Sequence, residues 1–233
     1  MKSAGSSNRL LAQLEHAELE VIEPHLTATR LPQGHVLFEP GDRISHVHFV
    51  EGGVVSVVTV MSDGSTVETM TVGAEGAAGV GAALGVPTAF ARAIVQVEGA
   101  SRRIEAGRLR ELGERLPKLR KRLQAYSQQQ LAEAQQTGAC NALHNLEPRM
   151  AKWLLRCHDR VEGDLIALTQ EFLSDMLGAQ RTTVTQVAGN LQNAGLIRYQ
   201  RGRIAVLDRP GLERISCECY RVIRDRGDEL GLS

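Results

Sequence analysis

The stretch from Leu168 to Val206, LTQEFLSDMLGAQRTTVTQVAGNLQNAGLIRYQRGRIAV, decides the fold, because apolar periodicity, helix punctuation and charge all change within it. Thr169 is suited to an N-cap with Glu171 in the first turn. Phe172, Leu173, Met176 and Leu177 then recur at the three-and-four spacing of a buried helix face. Gly178 ends that helix, since a C-terminal turn needs a residue that tolerates positive φ. A second stripe follows at once: Val184, Val187, Ala188 and Leu191 lie at i, i+3, i+4 and i+7 and can pack on the first helix, and Asn193-Ala194-Gly195 closes it. Leu196 to Val206 alternates around Arg201-Gly202 as two short strands and a tight turn do. The stretch therefore predicts a helix-turn-helix followed by a β-hairpin wing.

The polar face of the second helix carries Arg181, Thr182, Thr185 and Gln186, whose donors, acceptors and methyl groups suit base edges and phosphates; the N-terminal end of such a helix is the part that enters a major groove. Between Asp175 and Asp208 there is no acidic residue, while Arg181, Arg198, Arg201 and Arg203 are basic. In a chain of formal net charge zero, that imbalance fits a phosphate backbone better than an average solvated face. The expected partner is duplex DNA, contacted by Thr169, Gln180, Arg181, Thr182, Thr185, Gln186, Arg198, Arg201 and Arg203. A three-helix packing module whose polar face meets only water is the bland alternative.

Outward from this stretch, the 233 residues suffice for two domains with cores of their own. A hydrophobic share of 42% with 23% charged residues belongs to an ordinary soluble globular chain and excludes disorder. No stretch has the apolar length of a membrane span, and residues 1 to 9, rich in Ser and Gly, read as a mobile tail rather than a signal peptide, so no membrane partner and a cytoplasmic location are expected. Cys140, Cys157, Cys217 and Cys219 are too scattered for a disulfide scaffold, and none precedes residue 140. No iron-sulfur cluster and no metal site are therefore expected, and Cys217-x-Cys219 reads as two structural residues on opposite sides of a helix.

Towards the N-terminus, Leu10 to Ile22 predicts a short helix or two. From His35 short β runs follow, at Val36 to Phe38, Val47 to Val50, Val54 to Met61, Thr66 to Val72 and Ile94 to Val97, with turns expected at Glu51-Gly52-Gly53 and Asp63-Gly64. Short strands at this spacing imply an antiparallel barrel, jelly roll or β-roll. Gly73 to Gly85, GAEGAAGVGAALG, could cradle an anion on its backbone amides with Arg92 supplying charge, or could simply fill a tight corner. After Gly107 a helical run carries Leu112, Leu116, Leu119, Leu123 and Tyr126 alternately four and three apart, the seam of a coiled coil and hence the expected dimerisation face. Beyond Tyr126 that track turns polar while Leu131, Ala134 and Gly138 start a shifted one. Asn141 to Glu147 reads as a hinge, Met150, Trp153, Leu154, Cys157 and Val161 as a covering stripe, and Pro210 as the opening of one final helix.

Leu37-Phe38-Glu39-Pro40-Gly41-Asp42, then Phe49-Val50-Glu51-Gly52-Gly53-Val54, the glycine loop, the long helix and the terminal winged helix together resemble the Crp-Fnr family of bacterial transcription regulators, from about Leu31 to Val206. The resemblance implies an α+β chain: a cyclic-nucleotide-binding-like β-roll or jelly roll over residues 1–108, a long dimerisation helix and hinge over 109–144, and a winged helix-turn-helix over 145–233. It further implies a homodimer, an effector held in the β-roll by Gly76, Ala77, Gly79, Arg92, Ala93 and Gln135, and contact with RNA polymerase. The match is partial. Thr182 and Gln186 stand where the family's DNA-reading helix commonly has Glu and a second Arg, which implies a different half-site. Ala77 stands where cyclic-AMP binders have Glu, and Ala93 where a hydroxyl follows the Arg; Ala134 and Gln135 replace the hydroxyl pair that meets adenine. Cyclic AMP is therefore not the expected effector, whose identity stays open, with Glu75 as the one nearby carboxylate.

Two enzyme-like readings compete. Gly41-x4-His46-x-His48-x2-Glu51 is close to a metal motif of cupins, with two histidines on one strand face, but no histidine lies between His48 and His144 to complete it. The glycine loop has no Lys-Ser or Lys-Thr ending and no βαβ context for phosphoryl transfer. No catalytic constellation is expected.

Overall fold

The computed structural model describes residues 7–229 and Gly231. Residues 1 to 6 of the expected mobile tail lie outside them. Its last residues are firmly placed: Asn8 is buried, caps α1 (Arg9–Ala12) by accepting from the Leu11 amide, and donates to the carbonyls of Val50 and Gly76 at 2.7 Å each. Helix α2 (His16–Ile22) follows, then strands β1 (Thr27–Leu31), β2 (Val36–Phe38), β3 (His46–Val60), β4 (Thr66–Val72) and β5 (Ala77–Ala78), helix α3 (Val80–Ala83) and strand β6 (Arg92–Glu105). The strands form one antiparallel sheet in the order β1-β6-β3-β4, with β2 on β6 and β5 on β3.

Two strand expectations are corrected. β1 was not foreseen, because Thr27-Ala28-Thr29-Arg30-Leu31 shows little apolar alternation and is half exposed at the sheet edge. Glu51-Gly52-Gly53 is not a turn: β3 runs straight through it, with register shifts opposite β6 between Val50 and Val55. The glycines serve close backbone approach, since a Cβ on Gly99 would lie 2.0 Å from the Gly52 carbonyl oxygen. Asp63-Gly64 is the turn expected, closed by the Met61 amide donating to the Ser65 carbonyl at 2.8 Å.

Helices α4 (Ala106–Arg115) and α5 (Pro117–Leu143) follow, separated by extended backbone at Leu116 that lets Pro117 open the second helix. At about 1.5 Å per residue, the 27 residues of α5 span about 40 Å. The expected seam is corrected here: Leu112, Leu119, Leu123 and Tyr126 are buried, and Leu116 packs beside them, in the core shared with Val47, Phe49, Ala77 and Ile104 of the chain's own sheet. Side chains buried within one chain leave nothing to present to another.

The C-terminal part runs through α6 (Leu146–His158), β7 (Leu165–Ala167), α7 (Gln170–Leu177), α8 (Arg181–Asn193), the hairpin β8 (Ile197–Gln200) and β9 (Arg203–Val206), α9 (Arg209–Ile215) and α10 (Cys219–Glu229). Met150, Trp153, Leu154 and Cys157 of α6 cover the helix pair as expected, and Val58 of the sheet joins the same core. The single final helix is corrected to two: α9 stops at Ile215 and α10 starts at Cys219, so Cys217 lies in the link, not on a helix. Both Cys217 and Cys219 consequently turn to the same side, against Cys140 of α5. No helix among the described residues is long and apolar enough to cross a membrane.

Candidate nucleic-acid interface

The helix pair is built by local chemistry. Thr169 Oγ1 accepts from the Phe172 amide at 3.2 Å, starting α7, and Gly178 ends it at φ 57°, with its amide donating to the Asp175 carbonyl. Arg149 of α6 donates to the Leu177 carbonyl at 2.6 Å, satisfying one of the last helix acceptors. Val184, Val187, Ala188 and Leu191 of α8 are buried against α7. At about 1.5–3 kcal/mol for each fully buried Val or Leu, that stripe fixes the helix crossing and leaves the opposite face to solvent.

On that face Gln180 is the N-cap of α8, and Arg181, Thr182, Thr185 and Gln186 are exposed over its first two turns, as is Thr169 at the start of α7. Thr185 Oγ1 donates back to the Arg181 carbonyl at 2.9 Å, so its methyl and oxygen are held in one orientation. Thr183 is exposed on the same turns and was not singled out, because in sequence it is one more polar residue in a polar run. The wing turn Arg201-Gly202 has both φ values positive, 49° and 73°, which is the twist that a two-residue hairpin turn requires. Arg198, Arg201 and Arg203 are exposed on it. Elsewhere arginines such as Arg156, Arg160 and Arg209 are paired with carboxylates, whereas among the described residues Arg181, Arg198, Arg201 and Arg203 are in no such pair. The result is a set of exposed, unneutralised guanidinium groups on the wing and at the N-terminus of α8.

The residues expected to hold an effector are only partly brought together. Gly76, Ala77 and Gly79 lie in the loop, Gly79 at φ 87° opening α3, and Ala93 is buried in β6 beside Arg92. The Arg92 guanidinium meets Glu39 at 2.8 Å, a half-exposed pair worth about 0–1 kcal/mol and so easily exchanged. Tyr126 of α5 is pressed against the loop: a Cβ on Gly76 would lie 1.9 Å from its hydroxyl oxygen. Gln135 is corrected: it lies on the exposed face of α5, away from the loop, because the buried face of that helix runs through Tyr126, Glu133 and Thr137.

Glu75 is engaged too. Arg160, beyond the end of α6, donates to its Oε1 at 2.8 Å, and the Gly73 amide donates to the same oxygen at 2.9 Å. Burial opposes its ionisation, but the Arg160 guanidinium overrides that and holds the carboxyl below its usual range. A cleft of about 270 Å³ lies beside this pair, lined also by Arg9, Glu133, Arg156 and Arg224. Sequence reasoning had no access to this interdomain contact, since partners 85 residues apart leave no local pattern.

The cupin-like trio does not converge. Burial, aided by the charges of His46, Arg103 and His35, pushes His48 down to about 4, and its Nδ1 lies 3.3 Å from Ser101 Oγ. Glu51 is paired with Arg102 at 2.9 Å. Among the described residues the side chains that gather as metal ligands do are Cys140, His144, Cys217 and Cys219 instead.

Comparison with known proteins agrees with this geometry. Residues 28–115 match the cyclic nucleotide-binding domain and residues 148–215 the Crp-like helix-turn-helix domain. Over 106 residues, 43% of the chain, it is 34% identical to the transcriptional regulator SdrP of Thermus thermophilus, and the match spans about half, 52%, of that relative's length. Among solved structures it is similar to a CRP/FNR-family transcriptional regulator, also from Thermus thermophilus, at 27% identity and TM-score 0.64 over 82% of this chain and 98% of that one. It shares its fold with FixK2 from Bradyrhizobium japonicum, at 17% identity and TM-score 0.68 over 82% and 98% of the two chains. With a β-roll, a long helix and an exposed arginine-rich winged helix in one order, the chain carries the two domains that make up Crp-Fnr regulators, a cyclic nucleotide-binding domain followed by a Crp-like helix-turn-helix domain.

Proposed function

We propose that the chain is a sequence-specific, DNA-binding transcription regulator and not an enzyme, acting as a homodimer on paired half-sites. The observation that carries this reading is the exposed set of Arg181, Arg198, Arg201 and Arg203 without carboxylate partners, on the wing and at the N-terminus of α8. Arg181, Thr182, Thr185 and Gln186 read base edges; Arg198, Arg201 and Arg203 hold phosphates, with Thr169 and Gln180 placing the two helix starts against the backbone. The residues 1–108 sense, 109–144 connect, and 145–233 bind DNA. RNA polymerase is the further partner to be expected of such a regulator.

The dimer face is assigned to the shifted track of α5. Leu131 is 51% exposed, and Gln135, Gly138 and Ala142, four and three residues apart along the same face, are exposed after it. A Cβ on Gly138 would meet nothing within 4 Å. A helix face of small and apolar residues open to solvent is what a second, parallel copy of the helix covers.

The effector is not cyclic AMP on this reading. Ala77 and Ala93 offer no polar group to ribose or phosphate, Gln135 faces away from the loop, and Tyr126 fills the space over Gly76. Unpaired buried ligand groups would cost about 1–3 kcal/mol each.

Fluorescence-anisotropy titration against duplex promoter fragments, at two salt concentrations and with or without cyclic AMP, tests the proposal. Tight binding that weakens steeply with salt and ignores cyclic AMP is expected. Changing Arg181 to Ala should cost about 1–3 kcal/mol on the preferred sequence and relax preference at one base pair. No DNA binding in any condition would overturn the reading, and binding only with cyclic AMP would overturn the effector assignment.

A further inference from the structure

We propose that Cys140, His144, Cys217 and Cys219 form a mononuclear tetrahedral site for a thiophilic divalent ion of the zinc type, which clamps the C-terminal end of α5 to the link between α9 and α10. Cys140 lies in the last turn of α5 and His144 is its C-cap residue, whose amide still donates to the Cys140 carbonyl, so the helix end brings both to one side. Cys217 is carried in by the break between the final helices, and Cys219 is the first residue of α10. The three thiols are buried, and the four ligand atoms all lie within 4.8 Å of one another.

The distances fit one ion. Cys140 Sγ and Cys217 Sγ are 3.6 Å apart, and Cys219 Sγ and His144 Nδ1 are also 3.6 Å apart. With metal–sulfur bonds of about 2.3 Å and metal–nitrogen bonds of about 2.0–2.1 Å, a regular tetrahedron has edges of about 3.8 Å between sulfurs and about 3.6 Å from sulfur to nitrogen. A disulfide would need the two sulfurs at about 2.05 Å and would leave Cys219 and His144 without a role. A cluster of several irons would need ligands spread wider than these.

The surroundings are those a metal ligand needs. His144 presents Nδ1 to the thiols while its Nε2 lies 3.3 Å from Glu218 Oε1, the carboxylate placement that fixes the tautomer and orientation of a ligating imidazole. Gln136 donates to Cys219 Sγ at 3.1 Å, a contact that steadies a coordinated thiolate. Three thiolates and a neutral imidazole around a divalent ion leave one negative charge, and the buried Lys152 of α6 lies close enough to Cys140 to act on it. Soft sulfur donors with one imidazole select zinc-like ions over hard, oxygen-seeking ones. Because α5, α6 and α10 meet there, the ion would fix the hinge at His144-Asn145 relative to the C-terminal helix.

The test uses the full chain, reduced and stripped with a chelator, titrated with Co(II) and then with Zn(II). One Co(II) per chain should bind with intense thiolate-to-metal charge-transfer absorption and tetrahedral ligand-field bands, and one equivalent of Zn(II) should displace it. Affinity should fall at least 100-fold in C217S and in C219S, about 10-fold in E218Q, and stay unchanged in C157S, whose buried thiol lies outside the cluster. Circular dichroism on each variant separates loss of site from loss of fold, and E218Q, changed at an exposed carboxylate, remains informative if a cysteine variant unfolds. Absence of binding, an octahedral cobalt spectrum, binding unchanged in a folded C217S or C219S, a Cys140–Cys217 disulfide in metal-treated protein, or iron with sulfide in its place would each overturn the proposal.

Discussion

Arg201 is the only non-glycine residue at positive φ among the described residues, at 49°. A side chain there costs roughly 1–2 kcal/mol against the preferred backbone, and Asn or Gly is the usual occupant of such a turn. An exposed arginine held at that cost has its use in what it meets outside the chain. R201N should raise stability by about 0.5–1 kcal/mol in urea unfolding. The same change should weaken binding to every DNA sequence and lower the salt slope by about one phosphate contact. Added stability with unchanged DNA affinity at both salt concentrations would remove Arg201 from the interface. Gly178 gives the opposite case: at φ 57°, with Val67 Cγ2 3.0 Å from an added Cβ, G178A should lower stability by about 1 kcal/mol or more.

Between elements, the packing of α6 on the sheet rests on a buried carboxyl. Glu68 of β4 accepts from Trp153 Nε1 at 3.0 Å, and Ser56 Oγ lies 2.5 Å from both Glu68 Oε2 and Gln96 Oε1. The single Ser56 proton cannot go to two acceptors, so a protonated Glu68 donating to Ser56, which then donates to Gln96, satisfies all three. Burial pushes the Glu68 carboxyl up to about 7; the Ser56 hydrogen bond and the charges of Arg156 and Lys152 pull against it, while that of Glu133 on α5 adds to it. From about pH 4.5 to about pH 7 the folded chain keeps a proton that the unfolded chain has lost. Stability should therefore fall with rising pH across that window, by up to about 3 kcal/mol. E68Q, which keeps a donor towards Ser56 and an acceptor for Trp153, should flatten the fall in urea titrations at pH 5, 6, 7 and 8. An equal slope in E68Q would place the pH dependence elsewhere. None of this was legible in the sequence, where Glu68 is one polar residue in an alternating strand. The helix-turn-helix was legible because Thr169, Gly178 and two apolar stripes act within a few residues of one another. Heptad spacing at Leu112 to Tyr126 reported burial correctly and its partner wrongly, since periodicity says which face is covered and not by what.

At the scale of the whole molecule, the core of the C-terminal part reaches onto the N-terminal sheet, with Val58 of β3 among the side chains that cover α6, while the sheet keeps cores of its own. Glu133 and Thr71 are both joined to Arg156, and Glu75 to Arg160, so α5 and β4 hold α6, and the glycine loop holds the turn just after it, by charged hydrogen bonds. A shift of the loop or of α5 would thus be felt at the helix on which α7 and α8 pack. The two faces of α5 divide the work: the Leu119, Leu123 and Tyr126 face belongs to the chain's own core, and the face of Leu131, Gln135, Gly138 and Ala142 is open. Substituting a charge on each separates folding from assembly. L119E buries a charge without a partner and should abolish the folded state, because that penalty exceeds several kcal/mol against a total stability of about 5–15 kcal/mol. L131E leaves the chain folded, as its circular dichroism should show, but sets two carboxylates facing each other across the two-fold axis. Sedimentation should then find monomer for L131E and dimer for the parent chain. Binding to a palindromic site should fall at least 100-fold while binding to a single half-site hardly changes, since linkage of two reading heads is what has been lost. A variant that stays dimeric would move the seam off this face of α5, and a dimer that breaks with no change in DNA affinity would mean that each chain reads its site alone.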